Sequence, residues 1–137
     1  MTPVLVDSNV ILDIVAPLGD WKTWSMNALE RAIDSGAVYI NPMVYAEISA
    51  GYEKASDVDA VLDELALGLE DLPWSAAFLA GRAYQSYRKR GGDRRSPLPD
   101  FFIGAHAAVR RYTVLTRDAR RYRTYFPSVE LICPDHG

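Results

Sequence analysis

The chain has 137 residues, 49% apolar and 24% charged, a mixture typical of one folded domain rather than a disordered or fibrous chain. At about this length a chain buries roughly two-thirds of its unfolded surface, so no disulfide or zinc staple is needed. The single cysteine, Cys133, excludes an internal disulfide, and a reducing, cytoplasmic setting fits that best.

The net charge of −3 hides an asymmetry. Residues 1–81 hold 3 Lys/Arg against 13 Asp/Glu, and residues 82–137 hold 12 against 5. A cationic face beside an acidic pocket is therefore expected within one domain spanning 1–137. No apolar run approaches the ~20 residues that cross a bilayer, so no membrane segment is expected. The opening MTPVLVDSNVILDIV lacks a basic leader and is interrupted by Asp7, Asn9 and Asp13, so it does not read as a signal peptide.

Residues 4–6 are apolar and β-branched and read as a buried strand ending at Asp7. Asp7 or Ser8 can cap a helix reaching about Val15, which Pro17 and Gly19 break. Trp21, Trp24, Ala28, Leu29, Ala32 and Ile33 have helical spacing over 21–34, and Gly36 closes that helix. Residues 37–40 form a second strand. Asn41-Pro42 then opens a helix to about Ala50, with Asn as N-cap and Pro at the first helical position, and Glu47 lies on it.

Residues 57–69 again show helical spacing, followed by a short extended piece at 69–72. A helix over 75–90 ends at Gly91-Gly92. After the polar loop GGDRRSPLP, Pro99 opens a helix to about 111. A strand at 112–116, a short helix after Arg117-Asp118 and a strand at 129–133 complete the chain. Strands alternating with helices predict an α/β fold, a parallel sheet with helices on both faces.

In open parallel sheets, ligands bind beyond the C-terminal strand ends. Asp7 and Asp118 lie just past two strands, Asp100 in the first turn of a helix, and Glu47 one to two turns into another. These four carboxylates can converge. Each also has a structural alternative: Asp7 as a helix cap, Asp100 as a partner of the helix dipole, Asp118 as a turn residue and Glu47 as an ordinary helix residue. Clustered carboxylates raise one another's pKa unless a cation compensates, and an all-oxygen set suits Mg²⁺ or Mn²⁺. No Cys/His spacing suggests zinc. His106, inside a helix, is expected to be structural or on the surface, and His136 idle. Asp13 is expected to be exposed.

The segments VLVDSNVIL, NPMVYAEI, LPDFFIGAHA and VLTRDARRYRTYFPSVELI occur in this order over nearly the whole chain. They resemble PIN domains, specifically VapC-like toxins of VapBC toxin–antitoxin pairs. The resemblance implies the PIN fold, a central parallel sheet flanked by helices. It implies an acidic quartet of Asp7, Glu47, Asp100 and Asp118 that binds metal and acts catalytically, with Thr116 supporting the site and Ser8 and Asn9 forming the usual turn. It also implies an endoribonuclease yielding 5′-phosphate and 3′-hydroxyl ends, a homodimer, and a VapB-like antitoxin partner.

The basic loop 88–95, with Arg88, Arg94 and Arg95, is then a candidate grip for RNA phosphates. Tyr84, Tyr87, Tyr122 and Tyr125 are candidates for stacking on bases or for half-buried core positions. Trp21, Trp24 and Trp74 read as core or as an antitoxin patch. Two other readings compete. One is a metal-dependent phosphatase or phosphotransfer domain, though Asn9 stands where the phosphatase would want a second Asp. The other is a catalytically idle RNA-binding module, against which the intact quartet argues.

Overall fold

A computed structural model describes residues 2–92 and 98–134. Five short strands form one parallel sheet: β1 (Val4–Val6), β2 (Val38–Ile40), β3 (Gly68–Leu69), β4 (Thr113–Leu115) and β5 (Leu131–Ile132). Their order is β3-β2-β1-β4-β5. The chain winds outward from β1 through β2 to β3, then returns to the other side of β1 for β4 and β5. This reversal distributes the connecting helices over both faces and leaves the switch point between β1 and β4. The two strands are in register, with Val6 opposite Leu115, so Asp7 and Thr116 leave the sheet side by side.

The β1 and β4 strands are buried at every position, as expected of strands covered on both faces. Helix α1 (Ser8–Val15) packs on α2 (Lys22–Ser35). Lys22 ties them by donating from Nζ to the Ile14 and Ala16 carbonyls at 2.6 and 2.7 Å, which satisfies the free C-terminal end of α1. Asn41 caps α3 (Pro42–Ser49) as its sequence predicts, accepting the Val44 N–H at 3.1 Å.

The expected helix at 57–69 is shorter and shifted, with α4 spanning Ala55–Glu64 and β3 already starting at Gly68. Ala66 adopts a left-handed backbone, φ 59°, and the Leu67 N–H closes back onto the Leu62 carbonyl at 3.0 Å, so the helix winds off before the strand. Gly68 is needed there because a Cβ would stand 2.9 Å from the Tyr39 ring.

Helix α5 (Trp74–Lys89) ends at Gly91 with φ 85° and packs along α6 (Leu98–Arg110). A short α7 (Arg120–Tyr125) lies on α6 where Gly104 faces Phe126. A Cβ at Gly104 would meet the Phe126 ring at 2.4 Å, so this close approach requires glycine. Tyr84, Tyr87 and Tyr125 pack around the buried Phe101, with ring centroids 5.9, 5.6 and 5.1 Å away. Among the described residues no helix is long and apolar enough to cross a membrane.

Candidate functional site

Asp7 occupies the N-cap position of α1, yet its carboxylate makes no cap hydrogen bond. The Asp7 N–H donates to the Leu115 carbonyl at 2.9 Å, which fixes its backbone to β4. The side chain, 3% exposed, turns to the switch point. There Oδ2 accepts from Tyr122 Oη at 2.8 Å, Thr116 Oγ1 at 2.9 Å and Asn9 Nδ2 at 3.4 Å.

Asn9 joins the two loops that meet at this point. It donates to Thr116 Oγ1 at 3.2 Å and accepts the Arg117 N–H at 3.1 Å. Thr116 Oγ1 also accepts the Asp118 N–H at 3.1 Å, which folds the Thr116-Arg117-Asp118 turn around one hydroxyl. Ser8 Oγ donates to Glu47 Oε1 at 2.9 Å and lies 3.5 Å from Asp7 Oδ1, so it stands between the two carboxylates.

The structure brings Asp7, Glu47 and Asp100 close enough to feel one another's charge. Burial pushes the Asp7 carboxyl up from its ordinary value even though the Tyr122 and Thr116 hydroxyls pull it down. Burial, then the Asp7 charge, raises Glu47, with the Ser8 hydrogen bond opposing. Asp100 is pushed up to about 7 by burial and by repulsion from Asp7, Glu47 and Asp118, against the pull of Arg121. The Arg121 guanidinium reaches Asp100 Oδ2 at only 3.4 Å. Asp118 differs. It lies at the margin, its side chain 42% exposed, and two hydrogen bonds from the Arg120 guanidinium, at 3.1 and 3.0 Å, hold it below the usual carboxylate range.

These donors fit a hard divalent cation in type: all are oxygens, and three hold their protons more tightly than usual, chiefly because they are buried. Among the described residues no three His, Cys, Asp or Glu side chains stand in an arrangement that could hold a metal as they are. A concavity of about 750 Å³ beside α2 and β5 touches none of the four carboxylates.

Several residues take places that the sequence does not signal. Tyr122, expected on a half-buried or stacking surface, is fully buried with its hydroxyl on Asp7. Its spacing, one helical turn past Asp118 on the helix after β4, is the only trace in the sequence. Asp13 is not exposed: Arg117 donates to it from Nε and Nη2 at 2.8 and 3.1 Å, and Ser25 Oγ at 2.8 Å. The same guanidinium lies over the Trp21 ring, so a clasp joins α1, α2 and the turn after β4.

His106 is wholly buried between Asn41 and Glu70, the structural role expected. Trp24 packs on the core, but Trp74 is 91% exposed and is not core. Arg88 is exposed in the last turn of α5. Arg94, Arg95 and His136 lie outside the described residues.

Residues 4–127 match the PIN domain family. The chain belongs to that family. Comparison with curated proteins finds no match. Among solved structures, it is similar to a chain of VapBC2 from Rickettsia felis bound to a promoter DNA fragment. That likeness has 20% identity and a TM-score of 0.73, and covers 97% of this chain and 99% of that one. It is also similar to a chain of DNA-bound VapBC from Salmonella typhimurium, at 19% identity and TM-score 0.67, covering 97% and 98%. A chain of VapBC-5 from Mycobacterium tuberculosis matches at 22% identity and TM-score 0.61, covering 98% and 100%. The α/β architecture read from the sequence is thus the PIN fold, a five-stranded parallel sheet flanked by helices.

Proposed function

We propose that this PIN domain, as one unit over 1–137, is a metal-dependent endoribonuclease and the toxin of a type II toxin–antitoxin pair acting in the cytoplasm. One observation carries the reading. Asp7, Glu47 and Asp100 lie within electrostatic reach of one another near the switch point, each with raised proton affinity, and this supports a shared cation. Their likeness in fold to chains of VapBC complexes supports the toxin assignment.

Asp7, Glu47 and Asp100 would hold Mg²⁺ or Mn²⁺, with Asp118 binding a second ion or orienting the attacking water. The ion supplies positive charge against the phosphate and lowers the pKa of water. Thr116 and Asn9 keep Asp7 in one orientation. Asp118, kept ionised by Arg120, is suited to accept a hydrogen bond from the attacking water and so orient it. Arg88, with Arg94 and Arg95, would grip phosphates on either side of the bond cut.

A homodimer and a VapB-like antitoxin are the proposed partners. The exposed apolar residues Leu12, Val15, Leu18, Trp21 and Met26 of α1 and α2 and the link between them offer a surface for the antitoxin. An inserted Arg could then pair with the carboxylates in place of the ion. The test is cleavage of single-stranded RNA with Mg²⁺ or Mn²⁺, with chelator, and beside a generic aryl phosphate. Metal-dependent RNA cleavage that chelator stops, without phosphatase activity, is expected. Phosphatase activity alone, or RNA binding without cleavage, would overturn the reading.

A further inference from the structure

The two oxygens of Asp7 have unequal surroundings. Three side-chain donors converge on Oδ2: Tyr122, Thr116 and Asn9. On Oδ1 the side-chain contact is Ser8 Oγ at 3.5 Å, and that hydroxyl is better placed, at 2.9 Å, to donate to Glu47. The backbone amides of Ser8 and Asn9 favour the charged carboxylate without closing a cap hydrogen bond.

Tyr122 is the shortest of the Oδ2 contacts and the most committed. Its ring is buried on α7, and Asp7 is the partner of its hydroxyl. Thr116, by contrast, serves Asp7, Asn9 and the Asp118 backbone at once.

We propose that Tyr122 is a positioning residue that pins Asp7 Oδ2, so that Asp7 offers a metal ion only Oδ1, and that this one-oxygen presentation makes the site favour Mn²⁺ or Mg²⁺ over Ca²⁺. The inference rests on the metal-dependent reading above and goes beyond it. Ca²⁺ accepts carboxylates through both oxygens and takes six to eight ligands. Mg²⁺ demands near-ideal octahedral geometry, which a single oxygen per carboxylate suits. To bind an ion through both oxygens, Asp7 would have to give up hydrogen bonds from buried hydroxyls, and bonds of this charged kind are among the stronger ones in proteins. Removing the Tyr122 hydroxyl lowers that barrier and keeps the ring that packs in the core.

The test is calorimetric titration of the whole chain with Mn²⁺ and with Ca²⁺, for the parent and Tyr122→Phe. Near-ultraviolet circular dichroism and thermal melts confirm the fold. The parent should bind Mn²⁺ more tightly than Ca²⁺, and Tyr122→Phe should narrow that ratio by about 10-fold, or about 1.4 kcal/mol of discrimination. Thr116→Ala, which strips the same oxygen from the other side, should narrow it too, and Thr116→Ser should restore it. This second series decides the matter if Tyr122→Phe does not fold. A folded Tyr122→Phe with the parent ratio would overturn the inference, as would a parent without Mn²⁺ preference, and either leaves the proposed function standing. A parent that binds neither ion overturns the proposed function itself.

Discussion

Asp7 and Glu70 each follow directly on a parallel strand, β1 and β3, yet their surroundings differ in kind. Glu70 is met by donors and a cation. The Tyr112 hydroxyl donates to its two oxygens at 3.0 and 2.8 Å, His106 Nε2 lies at 3.1 Å, and Arg110 Nε at 3.7 Å. Asp7 is also hydrogen-bonded, but its charge acts on two further carboxylates, Glu47 and Asp100, and raises both. One carboxylate belongs to a neutralised structural cluster, and the other to a cluster in which the carboxylates outnumber the cations that reach them, Arg121 and Arg120. Burial alone therefore does not mark a functional acid; burial among like charges does.

The contrast breaks most sharply at Asp7. Asp7→Asn keeps the shape and removes the charge, so RNA cleavage with Mg²⁺ or Mn²⁺ should fall by at least about 100-fold, since partners one step removed from a metal already cost about 10–100-fold. The fold should be retained or slightly more stable, because repulsion falls. Cleavage at the parent rate would remove Asp7 from the mechanism.

Asp100 gives the next effect, and it concerns the metal-free protein. Its folded pKa of about 7 lies above the 3.8 of an ordinary Asp, so the fold favours the protonated form. That stability is present below about pH 4 and lost as pH rises through 7, up to about 4 kcal/mol at about 1.4 kcal/mol per pKa unit. In chelator, melting temperature should fall between pH 5 and pH 8. Asp100→Asn should flatten the profile and be the more stable protein at pH 8. A variant with the parental slope would show that Asp100 is not the source.

Much of this arrangement is legible in the sequence because it is local. Asp7 and Thr116 end apolar strands, and Asn41-Pro42 carries its own cap chemistry. What is not legible depends on partners distant in the chain. Tyr122 finds Asp7 115 residues away, and Arg117 finds Asp13 across 104. The misjudged end of the helix at 57–69 has a similar cause. Leu65 and Leu69 continue its periodicity, and the residue that turns left-handed is Ala66 rather than the glycine two positions on. The need for Gly68 comes from Tyr39 on the neighbouring strand.

The satisfied cluster should respond to truncation as structure does. Glu70→Ala leaves the buried His106 without its acceptor and strips the partly exposed Tyr112 hydroxyl of its bonds, and a buried group left unpaired costs about 1–3 kcal/mol. We expect a loss of about 2–3 kcal/mol in denaturant unfolding, with little change in Mn²⁺ affinity. A large loss of Mn²⁺ affinity with unchanged stability would mean that the two clusters have been assigned the wrong way round.

The smallest effect tests whether the paired cluster can be made to resemble the other one. Asn41 Oδ1 accepts the Val44 N–H, so its Nδ2 faces His106 Nδ1, 3.2 Å away, and donates to it. His106 is then the tautomer with its proton on Nε2, facing Glu70. Burial holds this ring below its ordinary pKa of 6.5, so its contribution to stability is present above about pH 6.5 and lost as pH falls below it, opposite in sign to that of Asp100. Asn41→Asp keeps the cap on α3, but it sets an acceptor against Nδ1 while Nε2 still faces Glu70. Only the imidazolium donates to both. Its folded pKa should therefore move above 6.5, and the acid-side loss should become a gain that fades as pH rises through the new value. The shift is expected to be worth about 1 kcal/mol between pH 5 and pH 8. The chain has only two histidines, so a ring NMR titration can follow His106 directly. If the ring still titrates below 6.5 in Asn41→Asp, its tautomer is not set by Asn41, and the neutral character of this cluster has another origin.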